Sequence, residues 1–314
     1  MKDIDVDAAA IDQIRLNFSP QSLFILNLTI GLMMLGVALE LKVEDFKRIL
    51  ISPKAPTIGF CAQFILLPAF TYFLTLVLRP VPSIALGMIL VAACPGGNLS
   101  NIMTYLARGN AAVSVSMTAV STALAVVMTP LNLAVWGSLN PVTAPILRRV
   151  SLNPFDVFTA VVLILGIPLA AGMLISRLFP SLVAQIHKPF KTLSFLVFVG
   201  FIASALAANW EIFLQAIGLV VFAVFTQNTL ALNLGYWSAH LMGLDTRDVR
   251  AVAIEVGIQN SALGLILIFD FFQGLGGMAI VAAWWGIWHM IAGLSLAAFW
   301  SRRAIPLEQG VLIS

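Results

Sequence analysis

The sequence predicts an all-α polytopic membrane protein, and three observations support this. The 314 residues are 60% hydrophobic and only 10% charged, whereas soluble domains carry about 25% charged residues. The apolar residues fall into nine runs, most of them near the roughly 20 residues that a helix needs to cross the hydrocarbon of a bilayer. Polar motifs interrupt two of these runs, at corresponding places in the two halves of the chain.

The composition excludes several classes of protein. A soluble core of this length could not hide so much apolar surface, so lipid must cover much of it. The formal net charge of +3 is too small and too dispersed for a nucleic-acid partner. Cys61 and Cys94 both lie in apolar runs, which predicts free membrane thiols and no disulfide. The first 19 residues are polar and acidic, so we expect no signal peptide.

The nine runs predict nine transmembrane helices joined by short connections, and therefore a single membrane domain over residues 1–314. Their predicted bounds are 21–40, 55–78, 82–106, 111–136, 155–178, 191–208, 212–241, 249–270 and 277–301.

Lysine and arginine residues predict the orientation, because cytoplasmic loops carry an excess of them. One side of the nine-span arrangement collects twelve basic residues: Lys42, Lys47, Arg48, Lys54, Arg108, Arg177, Lys188, Lys191, Arg247, Arg250, Arg302 and Arg303. The other side has five: Lys2, Arg15, Arg79, Arg148 and Arg149. The N-terminus is therefore predicted outside and the C-terminus in the cytoplasm.

The two interrupted spans predict an inverted repeat. Span three contains the motif from Cys94 to Asn101, with one proline and two glycines, and span eight contains the motif from Glu255 to Ser261. A glutamine, Gln63 or Gln227, lies one span earlier in each half. Spans one to four thus resemble spans six to nine but run in the opposite direction. Paired broken helices of this kind indicate a transport site near the bilayer centre, whereas close helix packing explains glycines but not the polar residues.

Glu255 is the carboxylate that lies clearly inside a span, and a buried carboxylate must be neutralised by a proton or a cation. No Lys or Arg is predicted at that depth. Na⁺ prefers several oxygen ligands, and the sequence supplies them nearby: Ser114 and Thr118 share one helix face, followed by Ser121 and Thr122, with Ser100, Asn101, Gln259 and Gln63 on the other segments. Hydroxyls that bond their own helix are the alternative interpretation.

His289 lies in the middle of the last span, beside three tryptophans. A hydrogen bond between helices and a role near the substrate are equally good interpretations of this histidine.

The motifs at Ala93–Asn101, Thr104–Asn110, Ser114 with Thr118, and Glu255–Ser261 together resemble the bile acid:sodium symporter family, and its bacterial members resemble this chain from about residue 25 to 303. The resemblance implies a core domain, residues 55–136 and 212–301, packed against a panel domain, residues 21–40 and 155–208. Two discontinuous helices would cross in the core. It also implies the bacterial inner membrane and leaves the oligomeric state open.

The resemblance further implies two Na⁺ sites that share Glu255. The first would be formed by Ser100, Asn101, Ser114, Thr118 and Glu255. The second would be formed by Gln63, Glu255, Gln259 and the carbonyls of Val256 and Ile258. The implied substrate-binding residues are Gly97, Asn98, Asn260, His289 and Met290. The chain differs from many relatives here, because Asn98 and Met290 replace Thr and Asn, which favours a small carboxylate as much as a bile acid.

The expected function is sodium-coupled symport of an organic anion by alternating access, and no enzymatic activity is expected. A sodium/proton antiporter of related fold is the alternative, although such sites usually rest on a buried Asp or an Asp–Lys pair. An intramembrane hydrolase would need a partner motif for His289. A channel or a receptor is a further alternative.

Overall fold

The computed structural model describes residue 12 and residues 20–150, 154–208 and 210–303, and every regular element in this part of the chain is a helix. The first seven helices are α1 (Pro20–Ala38), α2 (Val43–Ile51), α3 (Lys54–Leu78), α4 (Pro82–Ala93), α5 (Leu99–Leu106), α6 (Ala111–Leu139) and α7 (Ala144–Val150). Helix α8 runs through Pro154–Val161, Val162–Gly166 and Ile167–Leu178. The last five are α9 (Pro180–Ala208), α10 (Trp210–Leu241), α11 (Thr246–Gly257), α12 (Ser261–Phe272) and α13 (Gly276–Ser301).

Local chemistry explains where several of these helices begin. The side chains of Asn110, Asp245 and Asn260 accept hydrogen bonds from backbone N–H groups in the first turns of α6, α11 and α12. Each such cap satisfies donors that a helix start leaves without a partner. Pro82 occupies the first position of α4, where its missing N–H costs nothing.

Helices α3 and α8 each contain one π-helical turn, at Ala62–Leu66 and Val162–Gly166. A proline follows each turn, at Pro68 and Pro168. Because proline lacks an N–H group and clashes with the carbonyl one turn earlier, a wider turn before it relieves the strain. The turn in α3 carries Gln63, which it places on the buried side of the helix.

Both predicted interruptions are present: residues 94–98 separate α4 from α5, and residues 258–260 separate α11 from α12. The two interruptions pair with each other in antiparallel fashion at Gly96 and Gln259. The Gly97 N–H donates to the Ile258 carbonyl at 2.6 Å, and the Asn260 N–H donates to the Pro95 carbonyl at 2.9 Å. Each break therefore satisfies backbone groups that the other leaves free, as a break at membrane depth requires.

Helix α4 lies at the centre of the protein. All of its residues from Ser83 to Ala93 are buried, and it packs against α3, α6, α10 and α13. Gly87 permits the approach of α13, because a Cβ there would lie 2.8 Å from the Met278 Cα. Helix α1 instead packs against α8 and α9, and also touches α12.

The predicted spans correspond to helices, with two local differences. Helices α2 and α7 were not predicted, because they are too short to span a bilayer. Helix α9 begins at Pro180, eleven residues before the predicted start at 191. It continues through Pro189, which the prediction placed in a connection.

Within the described residues, four helices are long and apolar enough to cross a membrane: Lys54–Leu78, Ala111–Leu139, Phe155–Leu178 and Gly276–Ser301. Pro82–Ala93 and Ser261–Phe272 are shorter apolar helices, because each belongs to an interrupted pair. The count of nine spans, the inverted repeat and the division into core and panel stay predictions. Cys61 and Cys94 are free thiols, the first on the surface and the second buried.

Candidate functional site

The candidate site is centred on Glu255, in the last turn of α11 just before the chain breaks. Its side chain is 1% exposed. Three hydroxyl groups surround the carboxylate. Ser100 Oγ, from the first turn of α5, donates to Oε2 at 2.5 Å. Thr118 Oγ1, from α6, lies 2.8 Å from Oε1 and 3.0 Å from Oε2.

Ser114 and Asn101 complete this group. Ser114 Oγ lies 3.3 Å from Oε2 of Glu255 and donates to Asn101 Oδ1 at 2.8 Å. Thr118 Oγ1 also lies 3.2 Å from Asn101 Oδ1. The structure thus brings together all five residues predicted for the first site, from the segments α5, α6 and α11. Within the described part of the chain, no Lys or Arg side chain pairs with Glu255.

Proton counting shows why hydroxyls suit this position. Ser100, Ser114 and Thr118 each carry one proton but have two lone pairs. Thr118 reaches Asn101 and the Ser114 carbonyl as well as the carboxylate, so it can give its proton to any of them. A hydroxyl that turns its proton to a neighbouring acceptor presents a lone pair to a cation. The same three groups can therefore stabilise a bare carboxylate or coordinate a hard cation.

The residues predicted for the second site form two separate sets. Gln63 and Gln259 make a reciprocal amide pair, with Nε2–Oε1 distances of 2.7 and 3.2 Å. Gln63 Nε2 also donates to the Cys94 carbonyl at 2.9 Å, and Gln259 Nε2 donates to the Val256 carbonyl at 2.7 Å. Among the described residues, the hydrogen-bond partners of the Glu255 carboxylate are hydroxyl groups and not these two glutamines.

The Ile258 carbonyl, also predicted for the second site, accepts the Gly97 N–H. Amide N–H groups thus donate to the carbonyls of both Val256 and Ile258. A cation there requires both glutamines to rotate their amides, so that the oxygens face it.

The residues predicted to bind substrate are spread over several environments. Gly97 and Asn98 are half-buried at the first break, and a Cβ on Gly97 would lie 3.0 Å from the Gln259 carbonyl oxygen. Asn260 caps α12 through its oxygen, and its Nδ2 lies 3.7 Å from Met34 Sδ in α1.

His289 and Met290 lie in other surroundings. His289 is 4% exposed, and its Nδ1 has no partner within the described residues. Met290 packs against an apolar cluster that includes Met103 and Ile258. The substrate-binding set stays a prediction.

Comparison with known proteins shows the family of this chain. The model of the family described as "Sodium Bile acid symporter family" matches residues 27–216 of this chain. The chain is 33% identical over 301 residues to the uncharacterized sodium-dependent transporter YocS of Bacillus subtilis, covering 94% of this chain and 90% of that one. The chain belongs to the sodium bile acid symporter family.

Plant and animal relatives are longer than this chain. The probable sodium/metabolite cotransporter BASS1 of Arabidopsis thaliana chloroplasts is 33% identical over 275 residues, which are 86% of this chain and 65% of the relative. The P3 protein of Mus musculus is 30% identical over 235 residues, 73% of this chain and 47% of the relative. The sodium bile acid symporter family is one of transporters and not of enzymes, and the chain is an integral membrane protein.

Three residues that support the site in this member of the sodium bile acid symporter family were missed at the sequence level. Thr129 Oγ1 donates to the Ala93 carbonyl at 2.8 Å, and Gln227 Nε2 donates to the Met88 carbonyl at 2.8 Å. Asn228 Nδ2 donates to the Gly257 carbonyl at 2.7 Å. Thr129 and Asn228 bind the carbonyls of the last residues of α4 and α11, whereas Gln227 binds a carbonyl in the middle of α4. Each of the three is a polar side chain inside an apolar run, and this pattern could have indicated a buried hydrogen bond. The sequence analysis used Gln227 only as evidence for the repeat.

The described residues contain no group of three or more His, Cys, Asp and Glu side chains that could hold a metal ion. The oxygens around Glu255 are instead hydroxyls, amides and one carboxylate. This donor set suits a hard monovalent cation such as Na⁺ better than a transition metal, which prefers imidazole or thiolate.

Proposed function

We propose that the chain is a secondary active transporter that couples the entry of Na⁺ to the symport of an organic anion. The observation that carries the proposal is the ring of hydroxyls and amide oxygen around Glu255. Ser100, Ser114 and Thr118 lie within 3.3 Å of its carboxylate. A buried carboxylate with no basic partner needs a cation or a proton for neutrality, and several further oxygens favour Na⁺.

Two Na⁺ ions are proposed to bind. The first would be held by Ser100, Asn101, Ser114, Thr118 and Glu255. The second would bind where Gln63 and Gln259 now pair, with Glu255 and the carbonyls of Val256 and Ile258. Two ions change the charge of the site from −1 to +1, so an anionic substrate is then attracted. A cycle with a monovalent anion moves one net positive charge inward, which a membrane potential favours by about 2.3 kcal/mol per 100 mV.

The proposed anion lies near the breaks, beside Gly97, Asn98 and Asn260. The N-terminal turns of α5 and α12 point backbone N–H groups toward this region, because each helix begins at its break. Such helix starts favour a carboxylate. His289 and Met290 are the remaining proposed contacts. The substrate class is a small carboxylate or a bile-acid-like anion.

Alternating access is proposed to move a core, residues 55–136 and 212–301, against a panel, residues 21–40 and 155–208. The packing of α1 on α8 and α9 is consistent with a separate panel. The hydrogen bonds between the two breaks are consistent with a core that moves as one unit. We further propose the bacterial inner membrane, with the N-terminus outside and the C-terminus in the cytoplasm.

A thermal-shift screen followed by transport tests this proposal. The purified chain is heated with small organic anions, each with Na⁺ or with K⁺ at equal ionic strength. Anions that stabilise only together with Na⁺ are then offered to proteoliposomes that carry a sodium gradient. We expect accumulation that collapses with the gradient and is lost in Glu255→Gln. The control Asp156→Asn alters an exposed carboxylate and should transport normally.

Several results would contradict the proposal. Uptake that does not depend on the sodium gradient, or that persists in Glu255→Gln, would contradict sodium coupling through Glu255. Proton release on addition of Na⁺, without anion uptake, would identify a sodium/proton antiporter instead. Flux that never accumulates substrate against a gradient would identify a channel.

A further inference from the structure

A cavity of about 750 Å³ shares no lining residue with the Glu255 site. It is formed by the connection from α1 to α2, the start of α2, the end of α8 and the start of α9. None of the residues discussed above as ion or substrate ligands lines it. Its basic residues Lys42, Lys47 and Arg177 belong to the side that the basic-residue count predicts as cytoplasmic.

The charged part of the lining suits a phosphate-bearing group. Lys42, Lys47 and Arg177 face Glu40 and Glu44 in the same cavity, three cations against two carboxylates. His187 adds a polar ring: its Nδ1 lies 2.9 Å from the Val183 carbonyl. A carbonyl only accepts, so Nδ1 is the donor in this contact.

The rest of the lining is apolar. Leu39, Leu41 and Val183 are buried in the wall, and Met173 is half-buried there. A free inorganic ion gains no binding energy from an apolar wall. An amphiphile gains binding energy from it, because its first methylene groups can pack against the wall while its headgroup contacts the lysines and the arginine.

Helix α2 points to the membrane surface as the source of that amphiphile. It is a short amphipathic helix with acidic and basic residues on one side, and its last two residues, Leu50 and Ile51, are each 82% exposed. Large exposed apolar residues beside Lys47 and Arg48 are typical of a helix that lies in the headgroup region of a bilayer. The cavity therefore opens next to a helix placed among lipid headgroups.

We propose that this cavity binds the headgroup of one anionic phospholipid from the cytoplasmic leaflet. Lys47 and Arg177 hold the phosphate from opposite walls, with Lys42 beside them, and the acyl chains leave along the apolar wall. The proposal rests on the predicted orientation and not on the proposed transport function.

A lipid bound in this cavity would contact two groups of helices. Helix α2 packs against α6, which carries Ser114 and Thr118, while α1, α8 and α9 form the opposite side. A lipid in this cavity touches α2 and the α8–α9 turn at once.

Native mass spectrometry of the full chain, released from detergent, tests the proposal. The protein is titrated with dioleoyl phosphatidylglycerol or dioleoyl phosphatidylcholine. We expect one phosphatidylglycerol to be retained in preference to phosphatidylcholine. The double variant Lys47→Glu/Arg177→Glu should bind it at least about tenfold more weakly, since it replaces two basic side chains that attract the phosphate by two carboxylates that repel it.

The matched control is Arg302→Glu/Arg303→Glu, which makes the same change of charge on the same predicted side but outside the cavity. It should retain the lipid as the wild type does. Elution as a single species and an unchanged helical circular dichroism spectrum establish folding. If the double reversal does not fold, the neutral variants Lys47→Gln and Arg177→Gln replace it, with a smaller loss expected in each.

Three outcomes would overturn the proposal. Equal retention of the two lipids would mean unspecific lipid adhesion. Unchanged retention of phosphatidylglycerol in the cavity variants would place the lipid elsewhere. Displacement of the lipid by glycerol 3-phosphate at equal concentration would mean a site for soluble phosphate compounds.

Discussion

Gly96 and Glu255 touch across the two chain breaks: a Cβ built on Gly96 would overlap the Oε1 atom of Glu255. The backbone of the first break and the carboxylate of the second therefore occupy adjoining space with no room for a methyl group. This contact explains why the first break carries a glycine at this position, although its backbone conformation does not require one.

Gly96→Ala should consequently weaken Na⁺ binding. The added methyl group must displace the carboxylate from its hydroxyl partners, and an overpacked core typically costs about 1–3 kcal/mol. We expect the Na⁺ affinity, measured by sodium-dependent thermal stabilisation, to fall by about tenfold or more. Gly31→Ala, where a Cβ meets nothing within 4 Å, is the control. Equal sodium affinity in both variants would show that Na⁺ does not depend on the position of this carboxylate.

Thr118→Val tests the hydroxyl ring directly. Valine keeps the shape of threonine but removes the group that reaches both oxygens of Glu255. Because the Thr118 hydroxyl is a proposed Na⁺ ligand, and a polar contact to a charged group contributes about 1.5–3 kcal/mol, the Na⁺ affinity should fall by at least about tenfold.

The control for this substitution lies one turn further along α6. Thr122 Oγ1 donates only to the Thr118 carbonyl of its own helix, at 2.7 Å. Thr122→Val should therefore leave the Na⁺ affinity unchanged. A comparable loss in both variants would point to a general effect on α6 rather than to an ion ligand.

Gln63→Ala should separate the two proposed ion sites. Gln63 takes part in the amide pair with Gln259 and does not contact the hydroxyl ring. If two ions bind cooperatively, a Hill coefficient approaching 2 for sodium-dependent stabilisation should fall to about 1. Thr118→Val should instead lower the affinity of the first ion. An unchanged Hill coefficient in Gln63→Ala would leave Gln63 without a role in ion binding.

Asn228→Leu should destabilise the protein. Its Nδ2 group satisfies the Gly257 carbonyl at the break, and a buried carbonyl left without a partner costs about 1–3 kcal/mol. We expect a lower thermal midpoint together with weaker Na⁺ binding, because the carbonyls of the second break lose their anchor.

Asn233→Leu is the matched control on the same helix. Asn233 is exposed, and its Nδ2 donates only to the Thr229 carbonyl one turn earlier. It should melt as the wild type does in the same detergent. If both variants melted alike, the contact between Asn228 and Gly257 would contribute nothing to stability.

Much of the fold could be predicted from the sequence because membrane helices obey one strong local constraint. Every backbone polar group in hydrocarbon must be satisfied by the protein itself, and a long uninterrupted apolar run does this by forming a helix. The two breaks were predictable for the same reason, since proline, paired glycines and polar residues at that depth cannot continue an apolar helix. The short helices α2 and α7 were not predicted because neither spans the bilayer, so neither forms a long apolar run.

The first ion site was predictable from its residue types, but its geometry was not. A buried Glu255 and the pair Ser114 and Thr118 are visible in the sequence. Which hydroxyl reaches which oxygen depends on how α5, α6 and α11 pack. The pairing of Gln63 with Gln259, and the anchoring by Asn228, join residues that are distant in sequence, and no local pattern encodes such contacts.

The sequence alone therefore determined that lipid surrounds much of this protein and that it is helical. It also determined the positions of the two breaks and the identity of the buried carboxylate. These follow from hydropathy and from the cost of burying charge, which act residue by residue. Only the tertiary structure decided that Gly96 lies against Glu255, that three hydroxyls share its carboxylate, and that the glutamines satisfy each other and the carbonyls at the two breaks. Those contacts result from packing between distant segments, which is set by the shapes of side chains after the helices have formed.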